Sequence, residues 1–298
     1  MSRDIITEPQ LVGDMDEDWY HSDPVPEALG GSLSQSGAKK LLAPGCPAIF
    51  DWERRHPSPP TSDMEMGTIV HAMLLGTPQP ASVHDFRDWT TKAAKEARAA
   101  ARDAGKIPVL LHKYAELEAI AQAVLDDDEC AGLLAEGDSE VSVFWQDPEF
   151  GTWCRGRIDR LTWFDGQPAI VDLKTTSDSS PESFAKSIDK FGYYLQDAWY
   201  RDGLAQLLGC DWQDVEFVFV TVPTDPPYLP MAYRLEALDV PDPWHDVLLG
   251  RQRNRMAREI YRDCTQAGVW PKWSRDITPL SLPGYARRRI ETEILHAY

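Results

Sequence analysis

The sequence predicts a mixed α/β (α+β) protein in which a helical front section precedes a core with a central mixed sheet flanked by helices. Apolar residues recur at helical spacing in the front section, for example at Leu117, Ile120 and Val124. After Gly137 the pattern changes to an alternation of apolar and polar residues, which is typical of strands. Strands and helices then follow one another, an order that indicates a sheet with helices packed on it.

The first residues of the chain differ in composition from the rest of the sequence. Residues 1–31 are acidic and rich in Pro and Gly, which predicts an irregular or partly ordered arm. The helical front section then covers residues 32–136, and the core covers residues 137–298 with a C-terminal helix and a tail. One elaborated α/β domain can reach the full length of 298 residues, so we expect a single domain.

One helix of the front section is apolar and carries a histidine. Ser62 or Asp63 caps it, it covers Met64 to Leu75, and Gly76 ends it. His71 on this helix is either a core histidine with a satisfied ring, or a metal ligand or phosphate contact. Further front helices are predicted from a cap at Ser34 or Ser36 to Leu42, and over residues 48–55, 92–104 and 112–125.

The core opens with three predicted strands, over residues 141–145, 153–163 and 169–175. The third strand is apolar at Ile170, Val171 and Leu173, as expected for a central strand that is covered on both faces. The core continues with a helix over residues 184–208, strands over 215–222 and 228–235, and a long helix over 244–267.

A predicted hairpin brings acidic residues together. The dipeptide Asp165-Gly166 predicts a tight two-residue turn. Counting outward from this turn places Asp159 directly opposite Asp172 and on the same face. Lys174 lies two residues beyond Asp172 and therefore points the same way. Because like charges facing each other across a ladder destabilise a sheet, the arrangement indicates a cation between the two carboxylates.

The combination of Asp159, Asp172 and Lys174 favours phosphate chemistry. Hard divalent ions such as Mg²⁺ take carboxylate oxygens and keep several waters, and an ammonium beside such an ion suits a phosphate. The alternative is a salt-bridged surface hairpin. Charged residues on an otherwise apolar central strand are costly unless they are paired or bind metal, so we favour metal-dependent cleavage of a phosphodiester.

Three further polar residues are candidates for supporting roles. Gln196 and Tyr200 are four residues apart and share one helix face. They form either the polar edge of an amphipathic helix or a pair that orients Lys174, the attacking water or the DNA backbone. Glu140 begins the first strand and is either a further carboxylate for the metal or a solvated strand end.

Net charge argues against a general nucleic-acid binder, which is normally basic. The formal net charge is −18 at pH 7. Basic residues nevertheless cluster locally, either as solvated helix faces or as a lining that tracks a phosphate backbone. The clusters are Lys92, Lys95, Arg98 and Arg102; Arg251, Arg253, Arg255, Arg258 and Arg262; and Arg287, Arg288 and Arg289.

Several classes of protein are not expected. The chain has no run of about 18 apolar residues and no basic-then-apolar N-terminal segment, so neither a membrane span nor a secretory signal is predicted. The five cysteines are scattered without a C-x-x-C pair, which fits a reduced, cytoplasmic setting. Neither a P-loop nor a G-x-G-x-x-G sequence is present, which argues against nucleotide hydrolysis by this chain. No G-x-S-x-G elbow supports a serine nucleophile.

Five short motifs occur in a characteristic order between about residue 33 and residue 270. They are Leu33-Ser34-Gln35-Ser36, Gly67 to Gly76 with His71, Gly156 to Asp159, Val171 to Thr176, and Gln196 to Tyr200. Together they resemble the PD-(D/E)XK nuclease superfamily and, within it, the RecE-like branch (exodeoxyribonuclease VIII). Each motif alone is weak, but five in order are fairly specific.

The resemblance implies a restriction-endonuclease-like core and a site that holds Mg²⁺ or Mn²⁺. Asp159, Asp172 and the backbone carbonyl of Leu173 would hold the metal, and His71 would add a ligand or a phosphate contact. Lys174 would be the catalytic lysine, with Gln196 and Tyr200 beside the site or on the DNA.

The resemblance also implies a substrate and partners. It implies a 5′-to-3′ exonuclease on linear duplex DNA that leaves 3′ single strands for an annealing partner of the RecT type. Such systems are found on phages or prophages, and act in the cytoplasm of the bacterial host. Family members are often homo-oligomeric rings around DNA.

One feature of related branches is not expected here. CRISPR-associated and helicase–nuclease relatives often hold an iron–sulfur cluster with four cysteines, three of them near the C-terminus. This chain has only Cys264 there and Cys46 near the front, so we predict no cluster. Two alternatives remain open: a PD-(D/E)XK endonuclease or repair nuclease, and a DNA-recombination scaffold that does not cut.

Overall fold

The computed structural model describes residues 3–235 and 245–296. The strands in this part of the chain are β1 (Gln10–Val12), β2 (Ser32–Ser34), β3 (Ala81–His84), β4 (Ile107–Leu110), β5 (Asp138–Gln146), β6 (Trp153–Phe164), β7 (Gln167–Thr176), β8 (Glu216–Pro223) and β9 (Met231–Tyr233). The helices are α1 (Glu17–His21), α2 (Gln35–Leu41), α3 (Pro47–Arg55), α4 (Ser62–Leu75), α5 (Lys92–Asp103), α6 (Leu111–Leu125), α7 (Asp128–Ala135), α8 (Pro181–Phe191), α9 (Tyr193–Leu208), α10 (Asp246–Ala267) and α11 (Gly284–His296).

A seven-stranded mixed sheet forms the centre of the fold. Its order is β1-β5-β6-β7-β8-β9, and β2 pairs in parallel with the beginning of β6. β7 and β8 are parallel, and the remaining pairs along the path are antiparallel. β3 and β4 form a separate parallel pair. The predicted mixed sheet flanked by helices is confirmed, and β7 is one of its central strands, as its apolar pattern predicted.

Helices cover both faces of the sheet because β7 is apolar on both. Ile170 packs in a core that includes residues of α2, α9 and α10. Val171 and Leu173 pack in a second core with residues of α4, α6 and α7. The two cores explain why nearly every residue of the strand before Lys174 is buried.

The β6–β7 hairpin has the predicted turn at Asp165-Gly166 and the predicted register. The ladder runs from the turn as far as the pair of Arg160 and Val171 and then ends. Asp159 and Asp172 are the next residues outward, but they are not a ladder pair. The expectation that they face each other directly across the ladder is therefore wrong, although both lie where the strands part.

The ladder ends there because β6 and its other neighbour, β5, are both irregular at this level. Ile158 and Leu161 belong to the same core although they are three residues apart, so the alternation of β6 shifts near Asp159. On β5, the register places Glu140 at the level of Asp159, and Glu140 has a φ of 55°. Few residues other than glycine adopt this left-handed conformation. β5 and β6 keep the same register on both sides of this level, so no residue is inserted and the irregularity is local to Glu140 and Asp159.

Residues 3–31 contain regular elements that pack on the sheet, which differs from the predicted irregular or partly ordered segment over residues 1–31. β1 pairs with β5 at the edge of the sheet. Ile6, Met15 and Tyr20 are buried in a small core against β5 and β6. The acidic composition concealed these apolar residues, since their burial depends on strands far away in the sequence.

Other differences concern element boundaries. The predicted helix over residues 184–208 is two helices, because Gly192 interrupts it with a φ of 70°. The predicted strand over residues 228–235 is reduced to β9. Trp244, the predicted start of the long helix, lies outside the described residues. No helix in residues 3–235 and 245–296 has the length and apolar character that a membrane crossing requires.

Candidate active site

The candidate site lies in the opening between β6 and β7. β2 pairs with β6 as far as Arg155, and β7 pairs with β6 from Arg160 onward. Between these two partners, the Gly156 to Asp159 segment of β6 has a free edge among the described residues. The motif predicted from the sequence therefore lies at a level of β6 that side chains from other elements can reach.

Asp172 is the most buried charged residue of the site. Its side chain is only 6% exposed. Gln196 on α9 donates a hydrogen bond from Nε2 to Asp172 Oδ1 over 2.6 Å. The ammonium of Lys174 is paired with the other oxygen, Oδ2, as the shared direction of the two side chains predicted. The ring of Tyr193 lies on the other side of this ammonium, with its centroid 5.0 Å from Nζ.

Asp159 joins the site from β6. Its Oδ2 accepts a hydrogen bond from the backbone N–H of Leu173 over 2.8 Å. His71 Nδ1 lies 3.6 Å from the same oxygen. α4 thus brings His71 to the carboxylate, as the apolar helix with its histidine suggested. A side chain at Gly67 would meet only Thr175 Oγ1 at 3.4 Å, so close approach of α4 does not require a glycine there.

Burial determines the electrostatics of the two carboxylates. It raises the pKa of Asp159 and the pKa of Asp172 to about 6, and Lys174 opposes part of this shift in both. For Lys174, burial acts to lower the pKa, but the attraction of Asp172 and Asp159 outweighs it and the pKa is raised. Lys174 is therefore a cation at neutral pH.

The pKa of His71 is lowered, in contrast to that of Lys174. Burial, followed by the positive charge of Lys174, lowers the pKa of His71. The ring is therefore neutral at neutral pH, which is the form that binds metals.

Tyr200 has a structural position in this arrangement. Its ring lies directly against Gly156, where any side chain would collide with it. Its hydroxyl accepts a hydrogen bond from the backbone N–H of Arg157 over 3.3 Å. Tyr200 thus holds β6 rather than contacting Lys174, whereas Gln196, one turn earlier on α9, contacts Asp172 itself.

Glu140 is engaged by an arginine. Arg157 donates from Nε to Glu140 Oε2 over 2.5 Å, and its guanidinium lies 5.6 Å from the ring centroid of Tyr20. The negative charge of Glu140 raises the pKa of Asp159, while Arg157 lowers it. Sequence reasoning did not identify Arg157, although a charged residue inside the Gly156 to Asp159 motif was a signal for it.

The residues present fit a hard divalent cation. Asp172 Oδ2 is buried, and its partner is the ammonium of Lys174. Two carboxylates and a neutral imidazole are ligands that Mg²⁺ or Mn²⁺ accepts. No three acidic, histidine or cysteine side chains of the described chain already converge as a metal cage.

Comparison with known proteins supports the assignment of the fold. Residues 34–278 match the sequence family described as a PDDEXK-like domain of unknown function (DUF3799). The crystal structure of a "Putative exonuclease" from Eubacterium rectale has a TM-score of 0.58 at 15% sequence identity, over 91% of this chain and 97% of that chain. A crystal structure of SSO0001 has a TM-score of only 0.28 at 11% identity, over 70% of this chain and 86% of that chain. No curated protein sequence matches.

The family match covers most of the chain and includes all the candidate site residues. The resemblance to the PD-(D/E)XK superfamily is thereby confirmed, and membership of the RecE-like branch stays a prediction. The chain belongs to the PDDEXK-like family.

Proposed function

We propose that this protein is a metal-dependent exonuclease that degrades linear double-stranded DNA from 5′ to 3′ and leaves 3′ single-stranded overhangs. The observation that carries the proposal is the group formed by Asp159, Asp172, Lys174 and His71 at the parting of two strands in a PDDEXK-like fold. The similarity in fold to a protein described as an exonuclease supports it. The 5′-to-3′ polarity rests on the motif order alone.

The metal site would consist of Asp159, Asp172 and the carbonyl of Leu173, with His71 as a ligand or phosphate contact. When bound, Mg²⁺ or Mn²⁺ supplies charge neutralisation at the scissile phosphate and a lower pKa for the attacking water. The raised pKa values of the two aspartates are consistent with such a role, since a cation relieves the cost of burying both charges.

Lys174 acts as a cation in this proposal and not as a base. Its raised pKa keeps the ammonium protonated, so it can orient water and stabilise the negative charge that develops on phosphate oxygens. Gln196 fixes the rotamer of Asp172 through its hydrogen bond to Oδ1. The Tyr193 ring, with its centroid 5.0 Å from Nζ, gives the ammonium a second contact beside Asp172.

We also propose that the overhang serves an annealing protein of the RecT type and that the active species is a homo-oligomeric ring around DNA. The order of the five motifs supports both statements. Light scattering of the purified protein, with and without an oligonucleotide duplex, measures the oligomeric state, and a monomer in both samples would contradict the ring.

The decisive experiment uses linear duplex DNA labelled at either the 5′ or the 3′ end, with Mg²⁺ or with a chelator. We expect early release of the 5′ label, dependence on metal, and no action on closed circular DNA. Asp172→Ala and Lys174→Ala should abolish digestion while the protein stays folded by circular dichroism. Asp165→Asn is the matched control, because it lies at the exposed hairpin turn where asparagine tolerates the same backbone conformation.

Three results would contradict the proposal. Full activity of Asp172→Ala or Lys174→Ala would reject the site. Cleavage of the closed circle would favour an endonuclease, and absence of any cleavage by the wild-type protein would favour a scaffold that binds without cutting.

A further inference from the structure

A column of aromatic rings leads from the core to the solvent next to the candidate site. Phe184 and Phe219 are fully buried. Tyr193, the first residue of α9, lies against both, with centroids 5.8 Å and 5.6 Å away. Phe191, the last residue of α8, stacks on Tyr193 at 5.6 Å with an angle of 30° between the rings. Phe191 is 44% exposed, so the column ends in an open ring.

This column is connected to the catalytic lysine. The centroid of Tyr193 is 5.0 Å from Lys174 Nζ and 5.6 Å from the centroid of Phe191, and the two spacings together place Phe191 no more than 10.6 Å from that ammonium. This is about three base steps at 3.4 Å each. Gln196, which contacts Asp172, follows Tyr193 on the same helix. The ring is therefore held at a fixed, short distance from the site.

Two cations lie beside Phe191, one over its ring and one on its backbone carbonyl. Lys190 Nζ lies 5.0 Å from the Phe191 centroid. Lys39 on α2 donates a hydrogen bond from Nζ to the carbonyl of Phe191 over 2.6 Å. Asp189 in the same turn offsets one of the two charges. The chain has a net charge of −18, yet positive charge is concentrated here, with two lysines beside Phe191 and a third, Lys174, at the site.

From this juxtaposition we infer that Phe191 is a stacking platform for an unpaired nucleobase at the DNA end, which extends the proposed nuclease function. A single exposed apolar residue is ordinary on a protein surface. Phe191 differs because its ring is backed by Tyr193 and close to Lys174, and because two cations lie beside the residue. Proteins that bind single strands combine such aromatic faces with cations that follow the phosphates.

The position of Lys190 fits this role. In the free protein its ammonium covers the Phe191 ring. An exposed cation–π contact is weaker than the stacking of a base on an aromatic side chain, so a base displaces Lys190 from the ring. The released ammonium is then available for a phosphate of the same strand. Platform and cation thus act on neighbouring parts of one nucleotide.

The test uses the intact protein in a chelator, where metal-dependent cleavage is stopped, and a duplex with frayed ends that carry 2-aminopurine. Stacking on the ring quenches the fluorescence of this base. Phe191→Ala should lose the quenching and bind about 5- to 100-fold more weakly, as for other base-stacking aromatics. Phe191→Trp should retain both, since any aromatic face suffices. Trp163→Ala, which removes another exposed aromatic on β6, is the matched control and should change neither.

A second pair of variants tests the cation. Lys190→Gln should reduce the salt slope of binding by about one phosphate contact. Lys186→Gln is its control, because Lys186 lies one turn earlier on α8 and is paired with Glu182. Equal slopes for the two variants would contradict the role of Lys190.

Failure of the inference and failure of the nuclease proposal give different results. If the wild-type protein digests linear DNA and Phe191→Ala matches it in quenching and affinity, the platform is wrong and the nuclease stands. If the wild-type protein does not cut but Phe191→Ala loses quenching and affinity, the platform stands and the nuclease proposal fails.

Discussion

Asp159→Asn should stabilise the metal-free protein while it abolishes activity. Burial raises the pKa of Asp159 to about 6 from an ordinary value of 3.8. At neutral pH the folded protein therefore keeps a charge that burial disfavours. At 1.36 kcal/mol per pKa unit the shift corresponds to about 3 kcal/mol at most, and we expect about 1–3 kcal/mol because the neighbouring charges are coupled. The amide oxygen of the variant can still accept the N–H of Leu173.

The pH dependence of this effect has a definite sign. A carboxyl whose pKa is raised on folding binds its proton more tightly in the folded state. Its contribution to stability is fully present below the ordinary pKa of 3.8 and is lost as pH rises through about 6. The gain from Asp159→Asn should therefore be largest at neutral pH and vanish in acid below the ordinary aspartate pKa.

Thermal unfolding in a chelator, followed by circular dichroism, measures the effect. A rise in Tm of roughly 2–12 °C is expected at neutral pH from about 2–4 °C per kcal/mol for large domains. Mg²⁺ should raise the Tm of the wild-type protein and leave that of Asp159→Asn unchanged, since metal binding stabilises only a protein that binds it.

Asp172→Asn tests the same argument at the second carboxylate. Burial raises the pKa of Asp172 to about 6 as well, so removing its charge relieves a similar cost, but the change also takes the partner from the buried ammonium of Lys174, which is 17% exposed. The gain in Tm should therefore be smaller for Asp172→Asn than for Asp159→Asn. A lower Tm for Asp159→Asn at neutral pH, or a gain that persists in acid, would refute the reasoning.

Three further outcomes are expected from the geometry. Metal affinity, measured by calorimetry with Mn²⁺, should fall as pH falls through about 6. Both Asp159 and Asp172 must lose a proton to bind the metal, and burial raises both pKa values. A metal affinity that does not change with pH would contradict this. Gly156→Ala forces a methyl group into an aromatic ring and should cost about 1–3 kcal/mol in chemical denaturation, whereas Gly132→Ala, which meets no atom within 4 Å, should not destabilise. Tyr20→Ala should cost about 3–5 kcal/mol in the same assay, because Tyr20 is buried; an unchanged midpoint would show that the N-terminal arm contributes little.

The parts of the site that lie along one strand could be predicted from the sequence. A two-residue turn at Asp165-Gly166 leaves little freedom in pairing, and the register of β6 and β7 follows it until the ladder ends. The alternation of β7 likewise predicts that Asp172 and Lys174 share a face, and their ion pair is found. Strand register near a tight turn and the alternation of side chains along a strand can therefore be predicted from the sequence.

Features that depend on distant contacts could not be predicted. Asp159 leaves the ladder at the level where Glu140 adopts a left-handed conformation, and nothing in the sequence of β6 indicates that irregularity. Ile6 and Met15 are buried only because β1 lies on β5, and they follow no period among acidic neighbours. Tyr193 approaches Lys174 because Gly192 reverses the chain between α8 and α9.

The basic cluster on α10 shows why local charge patterns overstate DNA contact. Arg251 is paired with Asp202 at 2.7 Å, and Arg258 is paired with Asp147 at 2.8 Å. Arg255 forms a further pair with Glu149. These side chains hold α10 against α9 and the turn that follows β5, so they are not available to release counterions from DNA.

The acidic charge of the chain limits how the proposed DNA substrate can be bound. Away from the site, a net charge of −18 repels phosphates within a screening length of about 10 Å at 0.1 M salt. Attraction is left to the few cations near the opening, Lys39, Lys174 and Lys190. At about 0.9 per phosphate contact, three contacts give a slope of log K against log salt near about −3. Fluorescence anisotropy of a labelled duplex in a chelator measures it. A slope of about −6 or steeper would show that DNA is held along other basic surfaces, such as Arg287 to Arg289, and that the opening is not the main contact.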